Sequence, residues 1–280
     1  MKISLITACF NSEATIRTAI DSVLSQKGVE IEYIVVDGGS KDGTVDVIKE
    51  FAACPVRPTS PVCPVIKWIS ERDKGMYDAI NKGIKMATGD IVGILNADDV
   101  LASDDTLAHI ADQFSHKEQE RQESGEEIGR RVDCVYADIR FVKEGESVEA
   151  LRGAPTVRYC SAKRWRPWMF RFAAMVPHPS FYVRRECFER LGGYSLDYCI
   201  CADFELELRY LYLAKLRAAY LPECVVVMRM GGMSTAGWRS NVLINREDLR
   251  ALRSHGIWSC LPLIYLKYLF KIWGFVFKRN

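Results

Sequence analysis

Short apolar runs recur through the first hundred residues, and most are followed by a stretch with apolar positions three and four apart. Residues 2–7 read as a buried strand. Residues 12–26 then place Ile16, Ala19, Ile20, Val23 and Leu24 on one helical face, with Asn11 or Ser12 as cap and Gly28 as stop. Residues 30–36 form a second strand running into Asp37-Gly38-Gly39-Ser40, and residues 44–51 a second helix. After a loop with Pro55, Pro58, Pro61 and Pro64 come strand 66–70, helix 75–87 closed by Gly89, and strand 91–95, which runs into Asn96-Ala97-Asp98-Asp99. Strands alternating with helices predict right-handed crossovers and a mostly parallel sheet covered on both faces.

The pattern is sparser further on. Residues 117–131 are polar and charged and read as a helix end plus a surface loop. Residues 134–137 predict a strand, 176–183 an extended segment, 202–214 a helix and 221–230 a late strand. Residues 257–277 are apolar but interrupted, short of the roughly 18–20 residues that span a bilayer. Lys267, Lys271 and Lys278 fall on one helical stripe, and Trp258, Leu261, Ile264, Tyr265, Leu269, Ile272, Trp273 and Phe277 cover the rest. That pattern fits a helix lying in a membrane interface with a basic side, or a terminal helix packed on the core.

Composition narrows the class. Of 280 residues, 49% are apolar and 26% charged, which excludes disorder, collagen and coiled coil as the main architecture. A net charge of +2 gives no overall field calling for nucleic acid. The balance is uneven along the chain. Residues 1–112 carry 17 acidic and 11 basic residues, whereas residues 239–280 carry eight basic residues against Glu247 and Asp248. A basic, apolar tail suits an anionic membrane surface. The ten cysteines show no CxxC spacing, and Cys199 and Cys201 are too close for an ordinary bridge. The apolar start of the chain is too short for a signal peptide, so a reducing cytoplasm is expected.

Three polar clusters fall at the carboxyl ends of predicted parallel strands: residues 7–11, 37–40 and 96–99. Ligands bind at those ends in open α/β sheets. Neither GxGxxG after the first strand nor GxxxxGK[ST] occurs, which argues against a dinucleotide dehydrogenase and a P-loop kinase. A nucleotidyltransferase would need a Gly-rich basic loop after the first strand, where ITACFNSE stands instead. A sheet edge rich in carboxylates repels phosphate unless a divalent cation bridges the two, and Mg²⁺ or Mn²⁺ takes such oxygen ligands.

The stretches ITACFNSEATIRTAIDSVLSQ, IEYIVVDGGSKDGTVDVIKEF, ISERDKGMYDAINKGIKMATGDIVGILNADD, HPSFYVRRECFERLGGY and ADFELELR cover most of residues 2–209. In this order they resemble the family 2 glycosyltransferases of the GT-A fold, of the bacterial surface-polysaccharide type. The resemblance implies an α/β protein with a Rossmann-like, mostly parallel central sheet flanked by helices. It would comprise a nucleotide-sugar-binding half (1–115), an acceptor-side half (116–238) and basic amphipathic C-terminal helices (239–280). It also implies an inverting transferase using a nucleotide-activated sugar, by family habit a UDP-sugar, and Mn²⁺ or Mg²⁺.

By the same resemblance, Thr7, Ala8 and Asn11 line the base and ribose pocket, Asp37 accepts from the base, and Arg72 and Asp73 close over the nucleotide. Asn96-Ala97-Asp98-Asp99 takes the place of the family's DxD element, with Asn96 where the first acid stands. Asn96 bonds the ribose or a metal-bound water, Asp98 is the main metal ligand and Asp99 supports it. His178 completes the metal shell or touches the diphosphate. Asp203 is the catalytic base. Ala202 replaces its usual acidic neighbour, so a second carboxylate comes from elsewhere or is absent, with Glu205 and Glu207 assigned to other helix faces. Residues 152–171 hold six basic residues, no acid, and Trp165, Trp168 and Phe170. With Gly231-Gly232-Met233-Ser234 they fall in the acceptor part, which fits a glycan or lipid-diphosphate-linked acceptor at the cytoplasmic face of the inner membrane. A non-catalytic nucleotide-sugar-binding or membrane-scaffold protein on the same fold is the alternative.

Overall fold

Side chains alternate across the first strand. In β1 (Lys2–Cys9), Ile3 and Leu5 point to one face and Ile6 to the other, all with no exposed surface. The first face packs on α1 (Glu13–Leu24) through Ile16, Ala19, Ile20 and Val23, and the second on α3 (Met76–Met86) through Tyr77, Ala79 and Ile80. Between these lie β2 (Glu30–Asp37), α2 (Thr44–Ala53) and β3 (Ile66–Ser70). The computed structural model describes residues 1–53, 66–123, 131–231 and 238–268. The proline loop of residues 55–64 therefore lies outside the described residues.

The chain continues through β4 (Ile91–Ile94), β5 (Val100–Leu101), α4 (Thr106–Glu123), β6 (Cys134–Val142), α5 (Val148–Gly153) and β7 (Arg158–Cys160). After a 3₁₀ turn at His178–Ser180 come β8 (Tyr182–Arg184), α6 (Arg185–Leu191), α7 (Ala202–Glu207), β9 (Ala218–Arg229), α8 (Trp238–Ser254) and α9 (Leu261–Tyr265). The strands lie in the order β3-β2-β1-β4-β8-β6-β9-β5, with β7 pairing to β6. β1 to β4 are mutually parallel, β8 runs against β4 and β6, and β9 runs parallel to β6. The result is a mostly parallel sheet with helices on both sides, as the alternating pattern predicts.

At the amino edge of the sheet, buried Glu32 binds β1, β3 and the α3–β4 turn together. It accepts from Ser4 Oγ (2.5 Å), Lys67 Nζ (2.5 Å) and the backbone and hydroxyl of Thr88 (2.7 and 2.8 Å). Burial alone would raise its carboxyl, but the bonds from Lys67, Ser4 and Thr88 outweigh that and hold it at about 2.

Several sequence expectations are corrected. Residues 176–183 are not extended throughout, because the 3₁₀ turn at His178–Ser180 precedes a three-residue strand. The helix expected over 202–214 is α-helical only to Glu207 and continues as a π-turn over Leu208–Leu213. That turn carries Arg209 Nη1 (3.1 Å) and Tyr210 OH (2.7 Å) to one carbonyl, that of Gly192. Lys267 does not sit on an outward basic stripe. Its ammonium is buried against Asp248 at 2.6 Å, because α8 presents that carboxylate inward. Lys271 and Lys278, with the rest of the expected terminal helix, lie outside the described residues. Among the described residues no helix is long and apolar enough to cross a membrane.

Candidate active site

Three strand ends stand side by side at the carboxyl edge of the sheet: Cys9 is level with Asp37, and Asp37 with Ser70. Asp37 has no exposed surface. One of its oxygens accepts from the amides of Gly39 (3.1 Å) and Ser40 (3.0 Å) and from Ser70 Oγ (2.6 Å), while the other accepts from Ser40 Oγ. The carboxylate therefore organises the turn itself and keeps little accepting capacity for a base. Asn11 ties the neighbouring loop to this turn. Its φ of +48° suits asparagine, its amide donates to Ser40 Oγ at 2.7 Å, and its Oδ1 accepts from Lys41 N at 2.9 Å.

Ala8 is partly exposed at this edge, whereas Thr7 is buried with its hydroxyl 3.0 Å from Tyr33 OH. Thr7 thus supports the strand and presents no side chain to a ligand. Asp73 packs against the backbone of Gly38, where an added Cβ would meet its carboxylate at 2.5 Å, and it accepts from Gly75 N at 2.9 Å. Arg72 is exposed and its carbonyl accepts from Lys82 Nζ at 3.3 Å.

Residues 96–99 follow β4 at the same edge. Asn96 Nδ2 donates to Asp99 Oδ2 at 2.8 Å, so the amide in the first position is turned inward on its own cluster. Asp99 is fully buried, and its Oδ1 has no hydrogen-bond partner. Burial, then the charge of Asp98, pushes the Asp99 carboxyl well up, against the opposing pull of Asn96 and Arg229. Arg229 approaches from the end of β9, donating to the Asp98 carbonyl (2.5 Å), Thr18 Oγ1 (3.0 Å) and the Gly145 carbonyl (3.0 Å). Asp98 is partly exposed and its carboxylate accepts from no described residue.

A hard divalent cation takes carboxylate oxygens, and this pair offers one open carboxylate beside one unpartnered buried oxygen, so the donor set fits Mn²⁺ or Mg²⁺. Among the described residues, however, no three His, Cys, Asp or Glu side chains gather closely enough to hold a metal. Asp98, Asp99 and His178 are thus not a preassembled shell, and His178 is engaged elsewhere.

That other engagement is around α7. Asp203 is on its first turn, and its Oδ1 accepts from Phe204 N at 2.8 Å. Burial raises the Asp203 carboxyl to about 6, moderated by the Phe204 amide. Tyr77 is on α3, directly after the Asp73 turn, and stacks on Tyr194 at 5.6 Å between ring centroids. Asn81 of the same helix bonds both the amide (2.9 Å) and the carbonyl (2.8 Å) of Tyr194. Helix α3 therefore joins the strand-edge clusters to the segment carrying Asp203.

Glu207 lies one turn after Asp203 on the same side of α7, not on another face, and their charges repel. It is fully buried, accepts from Val176 N at 3.1 Å, and is pushed up to about 8, first by burial and against the pull of His178. His178 places Nδ1 3.6 Å from Glu207 Oε1 and Nε2 3.1 Å from Tyr194 OH. Glu207 thus places a second carboxyl on the Asp203 side of α7, where Ala202 stands instead of an acidic neighbour. The i, i+4 spacing from Asp203 was the available signal. Tyr77, Tyr194 and Arg229 carried none, since their roles come from tertiary packing.

Comparison with known proteins gives the family and the fold. The profile of Glycosyl transferase family 2 matches residues 4–120. An uncharacterised glycosyltransferase of Mycobacterium tuberculosis is 30% identical over 210 residues, covering 74% of this chain and 68% of that protein. A PGL/p-HBAD biosynthesis glycosyltransferase of Mycobacterium bovis is 27% identical over 249 residues, covering 89% and 83%. Among solved structures, the mannosyltransferase PcManGT of Pyrobaculum calidifontis with GDP-Man and Mn²⁺ superposes with TM-score 0.61 at 21% identity, over 98% of this chain and 72% of that one. TarS 1–349 of S. aureus with UDP-GlcNAc gives 0.60 at 18% identity, over 89% and 67%. Both are similar in fold, which is that of the GT-A glycosyltransferases. With a 30%-identical relative covered over two thirds of its length and the family profile lying on the strand-edge clusters, the chain belongs to glycosyl transferase family 2.

Proposed function

We propose that the protein is an inverting glycosyltransferase that moves a sugar from a nucleotide-sugar, most simply a UDP-sugar, to a hydroxyl of a glycan or lipid-diphosphate-linked acceptor in surface polysaccharide synthesis. The observation that carries this reading is Asp203: a carboxyl held at about 6, beside Tyr77, on the helix that α3 ties to the strand-edge clusters. A base titrating near working pH combines the ionised form with useful basicity. Two proteins of similar fold, one solved in complex with UDP-GlcNAc and one with GDP-Man and Mn²⁺, support the donor class and the cation.

In this reading Ala8, Asn11, the Asp37 turn, Arg72 and Asp73 enclose the nucleoside. Asp37 acts by holding the turn, whose backbone then faces the base. Asp98 and Asp99 would hold the cation, with donor oxygens and water completing its shell, and Asn96 fixes Asp99. When bound, the cation neutralises charge on the departing diphosphate. Asp203 takes the proton of the acceptor hydroxyl as that oxygen bonds to the anomeric carbon. The bond from that carbon to the diphosphate breaks on the opposite side and its electron pair leaves with the diphosphate, so the centre inverts. Glu207, held near 8, stays protonated at neutral pH and leaves Asp203 as the ionised carboxylate of the pair.

A panel of nucleotide sugars with Mn²⁺ tests the donor reading. A true donor at about 100 times its Kd adds about 2.7 kcal/mol, a rise of roughly 5–10 °C in Tm. EDTA should abolish the rise, and a panel in which no nucleotide sugar stabilises the protein would contradict the reading.

The C-terminal helices supply the membrane contact at the cytoplasmic face of the inner membrane. Trp258 (71% exposed) and Tyr265 (50%) flank Leu261 in sequence, and Leu261 lines a cleft of about 530 Å³ with Arg246, Leu249, Arg250, Arg253 and Ser254. Exposed aromatics together with arginines suit an anionic interface. In flotation with anionic vesicles the parent should rise and Arg246→Glu/Arg253→Glu should remain at the bottom. A parent that also remains there would refute membrane docking.

A further inference from the structure

The segment that delivers Asp203, residues 192–201, has neither helix nor strand to hold it. Asn81, Arg209 and Tyr210 hold its first residues, and at the Asp203 end the backbone amides are held by one side chain from α8. Glu247 Oε1 accepts from Cys199 N at 2.9 Å, and Oε2 accepts from Ile200 N at 2.9 Å and Cys201 N at 3.0 Å. Cys201 is the residue that precedes α7, and Asp203 stands two residues later. Glu247 is 7% exposed, and among the described residues no Lys, Arg or His pairs with it, so its charge is matched by those three amides. On the other side of the segment, the Tyr77 hydroxyl donates to the Ile200 carbonyl.

Further contacts seat the segment on the same helix. Cys201 Sγ donates to the Ile244 carbonyl at 3.6 Å, Arg250 Nη1 to the Asp197 carbonyl at 3.1 Å, and His255 Nε2 lies 2.8 Å from Glu205 Oε1 on α7 itself. These are single bonds at the margins. Glu247 alone gathers three consecutive amides, which fixes both the path of the chain and the start of α7.

We propose that Glu247 is the positioning residue for Asp203: by holding the amides of residues 199–201 it sets where the base carboxylate meets the acceptor hydroxyl. The assignment rests on Asp203 being the base. It gives α8, outside the residues matched by the family profile, an indirect part in catalysis, exerted through the placement of Asp203.

The test uses the full chain and three variants: Asp203→Asn, Glu247→Ala and Glu247→Gln. Two quantities are read: amide exchange over residues 199–201, and nucleotide release with Mn²⁺ from the panel sugar that stabilises the protein most. Glu247→Ala should lower kcat roughly 10²-fold, the scale of a misplacement near 1 Å, with donor KM within about twofold and exchange faster by about tenfold or more. Glu247→Gln retains an accepting oxygen and should recover about a tenth or more of the parent kcat. Asp203→Asn should lose turnover while residues 199–201 exchange at the parent rate.

The parent kcat in Glu247→Ala would overturn the proposal. If Glu247→Ala does not fold, Glu247→Gln decides, and a parent kcat combined with faster exchange would overturn it. Turnover retained in Asp203→Asn would instead remove the base beneath the assignment, and a parent without turnover would remove both.

Discussion

Asp203→Asn is expected to lower turnover roughly 10²–10⁴-fold, the usual share of a general base, while leaving the affinity for the nucleotide sugar near that of the parent. The asparagine keeps the shape and can still accept from Phe204 N, so the start of α7 should survive. What it loses is the oxygen that takes the proton. The pH dependence follows from the folded-state position of the group. Burial holds Asp203 at about 6, so the carboxylate predominates above that pH and is titrated away below it. The rate for the parent should therefore climb as pH rises through about 6 and then level off, falling about tenfold per unit on the acid side. Glu207 does not reverse this, because its proton is retained to about 8. Rates measured from pH 5 to 8 check both points. An Asp203→Asn variant that transfers sugar at the parent rate, or a parent rate flat through pH 6, would remove Asp203 from the mechanism.

Lys267→Met should be the most damaging change in the C-terminal helices. The ammonium and the Asp248 carboxylate are 2.6 Å apart with side chains only 5% and 4% exposed. Removing one member leaves the other buried without compensation, at a cost of about 3–5 kcal/mol, or roughly 6–20 °C in Tm. Burial raises Asp248 even with Lys267 present, so the orphaned carboxyl would take up a proton to escape ionisation. Lys267→Met/Asp248→Leu should melt close to the parent, since apolar side chains of similar volume replace a buried pair with little penalty. Thermal melts of the single and double variants decide. A single variant that melts with the parent would mean that the pair is solvated and that Lys267 is available to a membrane after all.

The two halves of the molecule were unequally legible. β1 to β4 and their helices follow from local periodicity, because β1, β2 and β4 bury both faces and each helix repeats its apolar positions at three and four. The placement of residues 37–40 and 96–99 at one sheet edge follows from the same reading, since parallel strands put their carboxyl ends together. The second half was harder. β6 pairs with β8 and β9 far along the chain, and the short strands β5 and β7 have too few residues to show a period.

Individual side chains divided along similar lines. Thr7 sits in a motif that resembles a ligand pocket, yet Tyr33 from the neighbouring strand takes its hydroxyl, a contact no linear pattern encodes. Lys267 matches an amphipathic stripe, but Asp248 across the helix pair turns it inward. Glu207 could have been found from its spacing to Asp203, whereas Glu247 could not, because its three partners are nearly fifty residues earlier.

The central claim is a single displacement at the anomeric carbon, and its stereochemistry tests it without knowledge of the acceptor. Donor hydrolysed by the enzyme in the presence of Mn²⁺ releases free sugar, whose anomeric proton can be followed by NMR before mutarotation mixes the forms. From an α-linked nucleotide sugar the account predicts the β anomer first, at a rate that Asp203→Asn suppresses; initial release of the α anomer would contradict it.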